Sequence, residues 1–590
     1  MRRSGATIRY EAGHLLVFAA ALAAAWSVVT LLSGGFMLHL GPLALSSRDP
    51  VRPLLFAVIL LGAARVLLPG PELGRTVWAL TGGRARLAAR VAAGAALAVL
   101  VISIAWNSRA AGGSDSSCYV LQSEAFAHGE VALANPLPGV LPGATPGMFV
   151  PTGFVPSRIT PFAAVPICGP GLALAMAAAS RIAGRDALFL IVPLSAAVAV
   201  WLTFVLGRRL DDEVTGAAAA VLLATSPIVI YQSVQPMSDV PAAALWLAAL
   251  AALAPASAQG ASARARPIAA GICASAAVLT RPNVALIVLP LLFLLKDRRM
   301  WLRFALAAAP GLAVMAWLNA TRYGSPLASG YGPDVQFSLA HVGSNLARYP
   351  RWLIETETPL AAAALLAPWW AWRHRARAPL VLVSLAAVAL TLATYLAYTV
   401  FDDWWYLRFL LPALPVLAVL SVAVLLEPAR GRPRLRVGAA VATCALAGAW
   451  HLHAVRAHHV LELQALESRF AIGGRYAGRA LPASAVVLAV QQSGSVRYHG
   501  GRATIAWDAI PPSDLDATMD VLGATGRPSY IALEDGEEAG FRARFSGQHF
   551  GALDWPPHAE IHGPVRVRFY DPADRAAYLR GGRVATEYVR

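Results

Sequence analysis

Charge is scarce in this chain. Asp, Glu, Lys and Arg make up 14% of its 590 residues, whereas hydrophobic residues make up 57%. A soluble globular protein carries about a quarter charged residues, so the composition excludes a soluble enzyme of this length, and a mean hydropathy of +0.56 agrees. Cysteine is nearly absent, with four in all, which excludes a disulfide-dense secreted scaffold. No internal sequence repeat is visible, and the alanine richness is membrane-helix composition rather than low complexity. Acidic residues number 33 against 49 basic ones, a formal net charge of +16. The arginines sit in short clusters between apolar runs, where membrane topology accounts for them and a nucleic-acid-binding surface does not.

Runs of roughly 17 to 22 apolar residues recur between Leu15 and Trp450, each long enough to cross a hydrocarbon core of about 30 Å. The chain therefore reads as a polytopic α-helical membrane protein with about thirteen transmembrane helices. Arg2, Arg3 and Arg9 followed by Leu15 to Trp26 resemble a secretory signal. The apolar stretch reaching Ser33 is long for one, however, and no small-residue cleavage site follows, so a retained first span is expected.

Placing the clusters Arg75/Arg84/Arg86/Arg90, Arg208/Arg209, Arg264/Arg266, Lys296/Arg298/Arg299/Arg303, Arg373/Arg375/Arg377 and Arg430/Arg432/Arg434/Arg436 inside gives one consistent threading with a cytoplasmic N-terminus. Asp115 then lies on the outer face. Between Asp115 and Arg208 an odd number of crossings is needed, and segment 161–180, broken by Pro161, Pro166, Gly169, Pro170 and Gly171, is the one expected not to span. Segment 187–206 crosses instead, and 214–233 returns the chain to the face of Asp115, where Asp239 begins the next span. Three regions follow: N-terminal extra helices over 1–86, a transmembrane module over 87–450 with outer loops at 107–186 and 320–357, and a tail over 451–590. In the tail, β-rich runs at Ala485 to Val490, Thr504 to Trp507, Tyr530 to Leu533 and Val565 to Tyr570 alternate with helical stretches such as Ser513 to Leu522, which predicts a small extracytoplasmic α/β domain. Cys273 and Cys444 fall inside apolar spans as small buried hydrophobes. Cys118 and Cys168 share the oxidising side and are candidates for a bridge bracing the Asp115 loop.

Asp115, Asp239, Arg281, Asp402, Asp403 and Arg408 gather on the outer face, all at span ends. A single ionisable residue there is ordinarily an interfacial anchor; several of both signs on one face suggest a site. Such a set suits sugar transfer from a lipid phosphate. A phosphate monoester, with a second pKa near 6, needs little protonation to depart. The site must then supply cations for that phosphate and a base for the acceptor hydroxyl, roles that fit arginine and aspartate. Direct displacement with one base inverts the anomeric carbon. A secondary transporter would bury charge at mid-membrane and often show repeated halves. A flippase of lipid-linked glycans would share the arginines without requiring the aspartate.

The motifs run in order: Ser114-Asp115-Ser-Ser-Cys-Tyr119 and Ala127-His-Gly129, then Arg181-Ile-Ala-Gly184, Met237-Ser-Asp239-Val-Pro241, Leu279-Thr-Arg281-Pro282, Tyr323-Gly-Ser-Pro326 and Leu407-Arg408-Phe-Leu-Leu-Pro412. Over roughly residues 90 to 430 this series resembles the GT-C superfamily of membrane glycosyltransferases. Within it, the likeness is to the branch of protein mannosyltransferases, aminoarabinose transferases and bacterial lipopolysaccharide glycosyltransferases. The resemblance implies that Asp115 is the first-loop base, that Asp239 helps hold acceptor or metal, and that Arg281 and Arg408 face the donor phosphate. Tyr119, Tyr323, Asp402, Asp403 and Trp405 are the candidate substrate-binding side chains. The implied partners are a polyprenyl-phosphate-linked sugar donor, a glycan or glycolipid acceptor and the lipid bilayer, with no nucleic acid. The implied location is a bacterial inner membrane. Asp239 with Asp402 and Asp403 is the candidate site for a divalent cation, Mg2+ or Mn2+. Two spans precede the one feeding the Asp loop, where many relatives have one, and the loop carries Asp-Ser rather than an Asp-Glu pair, which weakens a reading as protein O-mannosylation. His451, His453, His458 and His459 suit a membrane exit better than a metal site. Trp404, Trp405 and Tyr406 read as an aromatic belt. Glu534, Asp535, Glu537 and Glu538 read as a solvated acidic turn.

Overall fold

The computed structural model describes residues 49–68, 84–255 (apart from 136, 138 and 142), 261–331 and 336–589, together with stretches between 16 and 47. Arg2, Arg3, Arg9, Arg75 and Asp334 lie outside the described residues. A hairpin, β1 (Phe36–Leu40) and β2 (Leu43–Ser47), precedes helices α1 (Val51–Leu67) and α2 (Arg84–Ala105). The first outer loop then contributes α3 (Ser114–Ala127), an antiparallel pair, β3 (Phe154–Pro156) with β4 (Ala164–Pro166), and α4 (Pro170–Ala183). The segment expected not to span thus starts as strand and turn, because its prolines and Gly169 deny it helical hydrogen bonds. Its second half is a short helix.

The membrane bundle continues with α5 (Ile191–Leu210), α6 (Glu213–Thr225), α7 (Pro227–Ser233), α8 (Asp239–Leu253), α9 (Ala261–Thr280) and α10 (Arg298–Tyr323). After α11 (Val342–Glu357) come α12 (Ala367–Arg373), α13 (Ala378–Leu396), α14 (Leu414–Leu425) and α15 (Pro433–Ala457). Small residues let these helices pack closely, as membrane helices require. A Cβ on Gly207 of α5 would lie 2.6 Å from the Cα of Gly216 on α6.

The chain is an integral membrane protein. Among the described residues, five helices are long and apolar enough to cross a bilayer, or up to seven when each of two bent pairs counts as one span. The bent pairs are α6 with α7, at 60°, and segment Trp404–Leu410 with α14, at 83°. The expectation of about thirteen spans exceeds this count because several apolar runs are interrupted. Pro227 and Pro412 sit in the two bends, and Pro282–Leu294 forms short 3-10 and α turns instead of one helix.

Members of three of the arginine clusters, Arg208/Arg209, Arg264/Arg266 and Arg430/Arg432/Arg434/Arg436, come together at one end of the bundle. Arg436 bonds Asp212 at 2.7 Å and also meets Asp211, while Arg430 meets Asp211 and Glu427. Arg209 and Arg266 hold carbonyl oxygens at the end of α8. At this end Asp212 caps α6, accepting from the Val214 and Thr215 amides.

The tail begins with α16 (Leu463–Ala480) and forms a six-stranded mixed sheet. Its elements are β5 (Val486–Leu488), α17 (Ser493–Tyr498), β6 (Ala503–Ile505), α18 (Leu515–Ala524), β7 (Ser529–Glu534), α19 (Asp535–Arg544), β8 (Ala559–Ile561), β9 (Val567–Tyr570), α20 (Pro572–Leu579) and β10 (Glu587–Val589). Spatial order is β10-β8-β9-β7-β5-β6, with β6, β5 and β7 parallel and β9 antiparallel to β7. All four predicted β-rich runs contain strands; β8 and β10 are additional. The core between β5, β6 and β7 and their helices is shared. Leu137, Leu141, Met148 and Phe149 of the first outer loop pack there against Val486, Ile505 and Leu533. Burial of such side chains contributes about 1.5–3 kcal/mol each, so loop and tail stabilise one another.

The acidic run at 534–538 is not a solvated turn. Glu534 is buried and forms a reciprocal capping box with Glu537, and Glu538 binds Arg568, Arg542 and Tyr570.

Candidate active site

Two carboxylates start two helices, and an arginine reaches each of them from a break in another helix. Asp115 lies in the first turn of α3, just after Gly113, whose φ of +61° is left-handed and readily adopted by glycine. Asp239 is the first residue of α8. Both positions suit an anion, because helix N-termini carry partial positive charge. Arg281 follows the end of α9, and Arg408 lies in the 3-10 segment before the Pro412 bend.

Asp115 Oδ2 stands 2.9 Å from Arg408 Nη2, and Asp239 Oδ1 meets Arg281 Nη1. Phe409 lies beneath both guanidinium groups, its ring centroid 5.5 Å from Arg281 and 5.2 Å from Arg408. Tyr395 stacks on the same ring at 4.7 Å. The four charged residues therefore form one cluster of two opposed pairs. Asp239 is sealed at 2% exposure, whereas Asp115 retains 37%. Arg408 also keeps its Nε buried with no hydrogen-bond acceptor among the described residues. An orphaned charged donor is costly, and an incoming anion would satisfy it.

The supporting framework is rigid. Tyr119 donates from its hydroxyl to Ser238 Oγ at 2.7 Å, tying α3 to the residue before Asp239, and burial raises its phenol well above the usual range, so it stays a neutral donor. Cys118 and Cys168 form a disulfide, with Cα atoms 6.2 Å apart, that fastens α3 to the segment before α4. Such links contribute typically 2–4 kcal/mol.

Other candidates lie apart. Tyr323 donates its hydroxyl to the Pro166 carbonyl and serves the outer loop. Asp402 is exposed and pairs with Arg348 at 2.6 Å; Asp403 is also exposed. Neither joins Asp239, whose partner is Arg281, so the expected three-aspartate cation site is not assembled. Trp405 stacks on Tyr231, with ring centroids 6.2 Å apart, in an aromatic cluster with Trp404. His451 bonds Thr225 and His459 bonds Glu462, so these histidines serve different neighbours. Among the described residues, the one group spaced to hold a metal is His558, Asp571 and Asp574 in the tail, where His558 pairs with Asp574 at 3.0 Å. Two tyrosines outside the candidate set, Tyr331 and Tyr398, lie close enough to Asp115, Arg281 and Arg408 to feel their charge. Tyr331 begins the loop stretch Tyr331-Gly-Pro-Asp334, and nothing in that sequence aims it at the site.

Residues 166–321 match the family model of dolichyl-phosphate-mannose-protein mannosyltransferases. The fold is similar to that of ArnT from Cupriavidus metallidurans in the apo state, with a TM-score of 0.53 at 15% identity, covering 80% of this chain and 96% of that one. The same protein bound to undecaprenyl phosphate gives 0.51 at 14% identity over the same shares. The Archaeoglobus fulgidus oligosaccharyltransferase in its apo form gives 0.50 at 14% identity, covering 76% of this chain and 70% of that one. No curated protein matches the sequence. The family match covers residues 166–321 of the 590, and the likeness to the solved structures is one of fold.

Proposed function

We propose that the chain transfers a sugar from a polyprenyl-phosphate donor to an extracytoplasmic glycan or glycolipid, with inversion, in a module spanning residues 87–450. The observation that carries this reading is the pairing of each site carboxylate with an arginine. In the resting cluster Arg408 neutralises Asp115 and Arg281 neutralises Asp239. A donor phosphate competes for the same forked guanidinium donors. As Arg408 turns toward it, Asp115 is released as a free carboxylate beside the place where the acceptor hydroxyl enters. Asp115 takes the hydroxyl proton, the acceptor oxygen bonds to the anomeric carbon, and the anomeric carbon–oxygen bond breaks with its electron pair leaving on the polyprenyl phosphate. Asp239 holds Arg281 in line for that phosphate. A divalent cation at Asp239 would have to displace the Arg281 guanidinium, so the donor set there does not fit Mg2+ or Mn2+, and no step is routed through a metal.

The match of 166–321 to a family acting on lipid-phosphate sugars supports the donor class, as does the undecaprenyl phosphate bound by the ArnT relative. The disulfide supports an oxidising compartment for the site, hence a cytoplasmic N-terminus and an extracytoplasmic tail in a bacterial inner membrane. The shorter apolar helices at 170–183, 239–253 and 282–294 would bring the number of membrane-embedded segments toward about thirteen.

The test is sugar transfer from polyprenyl-phosphate donors by Asp115→Asn at normal expression. Transfer should fall by about 10²- to 10⁴-fold, the contribution of a general base. Undiminished transfer would sink the assignment.

A further inference from the structure

The parallel half of the tail sheet runs in the order β6-β5-β7, so the connections from β5 and from β6 leave in opposite directions and a crevice opens outside the carboxyl ends of β5 and β7. In open α/β sheets this switch point is where ligands bind. Here the crevice is filled by the catalytic module itself. After β5, the Gln491 carbonyl accepts from the Gly113 amide at 3.3 Å, and the Val490 carbonyl accepts from the Thr152 hydroxyl at 2.7 Å. Ser493 Oγ accepts from the Thr152 amide at 3.0 Å. After β7, Glu537 accepts from the amides of Gln491 at 3.2 Å and Glu534 at 2.9 Å, which locks the two turns together.

The fit is close, with glycine backbone set against side chains and carbonyls. A Cβ on Gly494 would run into Ser117 Oγ and lie 2.6 Å from the Ala111 carbonyl oxygen. A Cβ on Gly112 would enter the ring of Phe470 on α16. Gly153, in the loop that Thr152 anchors to the tail, has no room beside the Ser114 carbonyl. Every one of these approaches falls on residues 111–117, the stretch that carries Asp115.

We propose that the tail is a positioning part of the active site: its switch point seats the first turn of α3 and so fixes Asp115 against Arg408, with Gly494 and Ser493 as positioning residues. This rests on reading Asp115 as the base. The tail supplies no group to the reacting atoms. Its contribution is geometric, and a misplacement of about 1 Å in a reacting group can cost roughly 10²-fold in rate. The Gly494 seat is separate from Arg281, just past the end of α9, and from the Phe409 platform, so a disturbance there should act on turnover more than on donor binding.

The experiment is steady-state transfer by the full-length protein in membranes, with polyprenyl-phosphate sugar as the varied substrate. Gly494→Ala should lower kcat about 10- to 100-fold and leave the donor KM within about twofold. Adding Ser117→Gly, which removes the side chain that the new methyl meets, should restore part of that loss. Ser493→Ala, a gentler change that deletes one acceptor, should lower kcat about threefold with the same KM pattern, and it decides the matter if Gly494→Ala does not fold. Wild-type kcat in folded Gly494→Ala, or in Ser493→Ala where that alone is obtained, overturns the proposal. So does a rise in KM that accounts for the whole loss. Asp115→Asn is run alongside: if it transfers normally, the base reading itself has failed, whereas an inactive Asp115→Asn with a fully active Gly494→Ala removes the tail's role alone.

Discussion

The two ends of the helical bundle each hold a buried cluster of aspartates and arginines, and they differ in how completely the polar groups are satisfied. At one end, Asp211 meets Arg430, Arg436 and the Thr215 hydroxyl, and Asp212 meets Arg436 and two amides of its own helix. Arg436 also donates to the Leu426 carbonyl at 2.9 Å and to the Thr215 hydroxyl at 3.0 Å. Glu427 nearby is engaged by Trp370, His374 and Arg430. At the other end, Asp115 is over a third exposed, Arg408 has a buried Nε without an acceptor, and each carboxylate has one arginine. A saturated network fixes structure, while one with an open position and an exchangeable partner can accept an anion. Residue types alone do not separate the two ends; their bonding does.

Mutation should therefore break the ends in different ways. The largest contrast is between Asp115→Asn, which should stop transfer with little change in stability, and Asp212→Asn, which should leave the turnover of folded protein intact. If Asp212→Asn lowers kcat as far as Asp115→Asn does, the two ends are not distinct in kind. Arg436→Ala comes next. It takes from Asp211, 2% exposed, the more buried of its two arginines and takes from Asp212 its arginine partner, and removing one partner of a buried pair costs about 3–5 kcal/mol. Thermal denaturation of the detergent-solubilised protein should show the loss, with per-molecule activity retained. A thermal midpoint within a degree of wild type would mean that the inner network carries no stability. Arg281→Ala should raise the donor KM about 10- to 100-fold, the worth of charge-assisted hydrogen bonds; an unaltered KM would remove Arg281 from the phosphate site.

Much of the outer cluster was legible because charge is rare in an apolar chain, so each aspartate or arginine at a span end stands out. Asp115, Asp239, Arg281 and Arg408 were read from that pattern and lie together. Asp402 and Asp403 had the same signal but face outward, since adjacent residues at a turn carry no information on direction. Tyr331, Tyr398 and Phe409 were passed over because aromatic residues are common at membrane interfaces. The bends at Pro227 and Pro412 had a visible breaker, yet a proline does not say whether the chain turns or resumes. Strands β8 and β10, of three residues each, are too short to show a period of two. The seat at Gly494 has no side chain to announce it. The acidic run at 534–538 looked solvated because its partners, Arg568 and the turn at Gln491, are remote in sequence.

The smallest effect concerns the tail, where two carboxylates share one cation. Arg469 bonds Glu534 at 3.0 Å and reaches Glu467 at 3.5 Å, all three being largely buried. Burial, with Glu534 adding to it, pushes Glu467 up from its ordinary value of 4.5 to about 7. A carboxyl whose value is higher folded than unfolded binds its proton more tightly when folded. Its stabilising contribution is whole below about 4.5 and is lost as pH rises through about 7. Glu467→Gln keeps the shape and removes the titration, so between these limits the wild-type thermal midpoint should fall relative to that of the mutant, by roughly 2–4 °C. The difference between the two proteins is the measured quantity, because His499, lowered by burial from 6.5 to about 4, and Glu537, raised by burial from 4.5 to about 7, change stability in opposite senses in both. Parallel curves would place Glu467 in contact with water. A widening gap would show that the tail, unlike the saturated inner network, retains a carboxyl its single arginine does not neutralise.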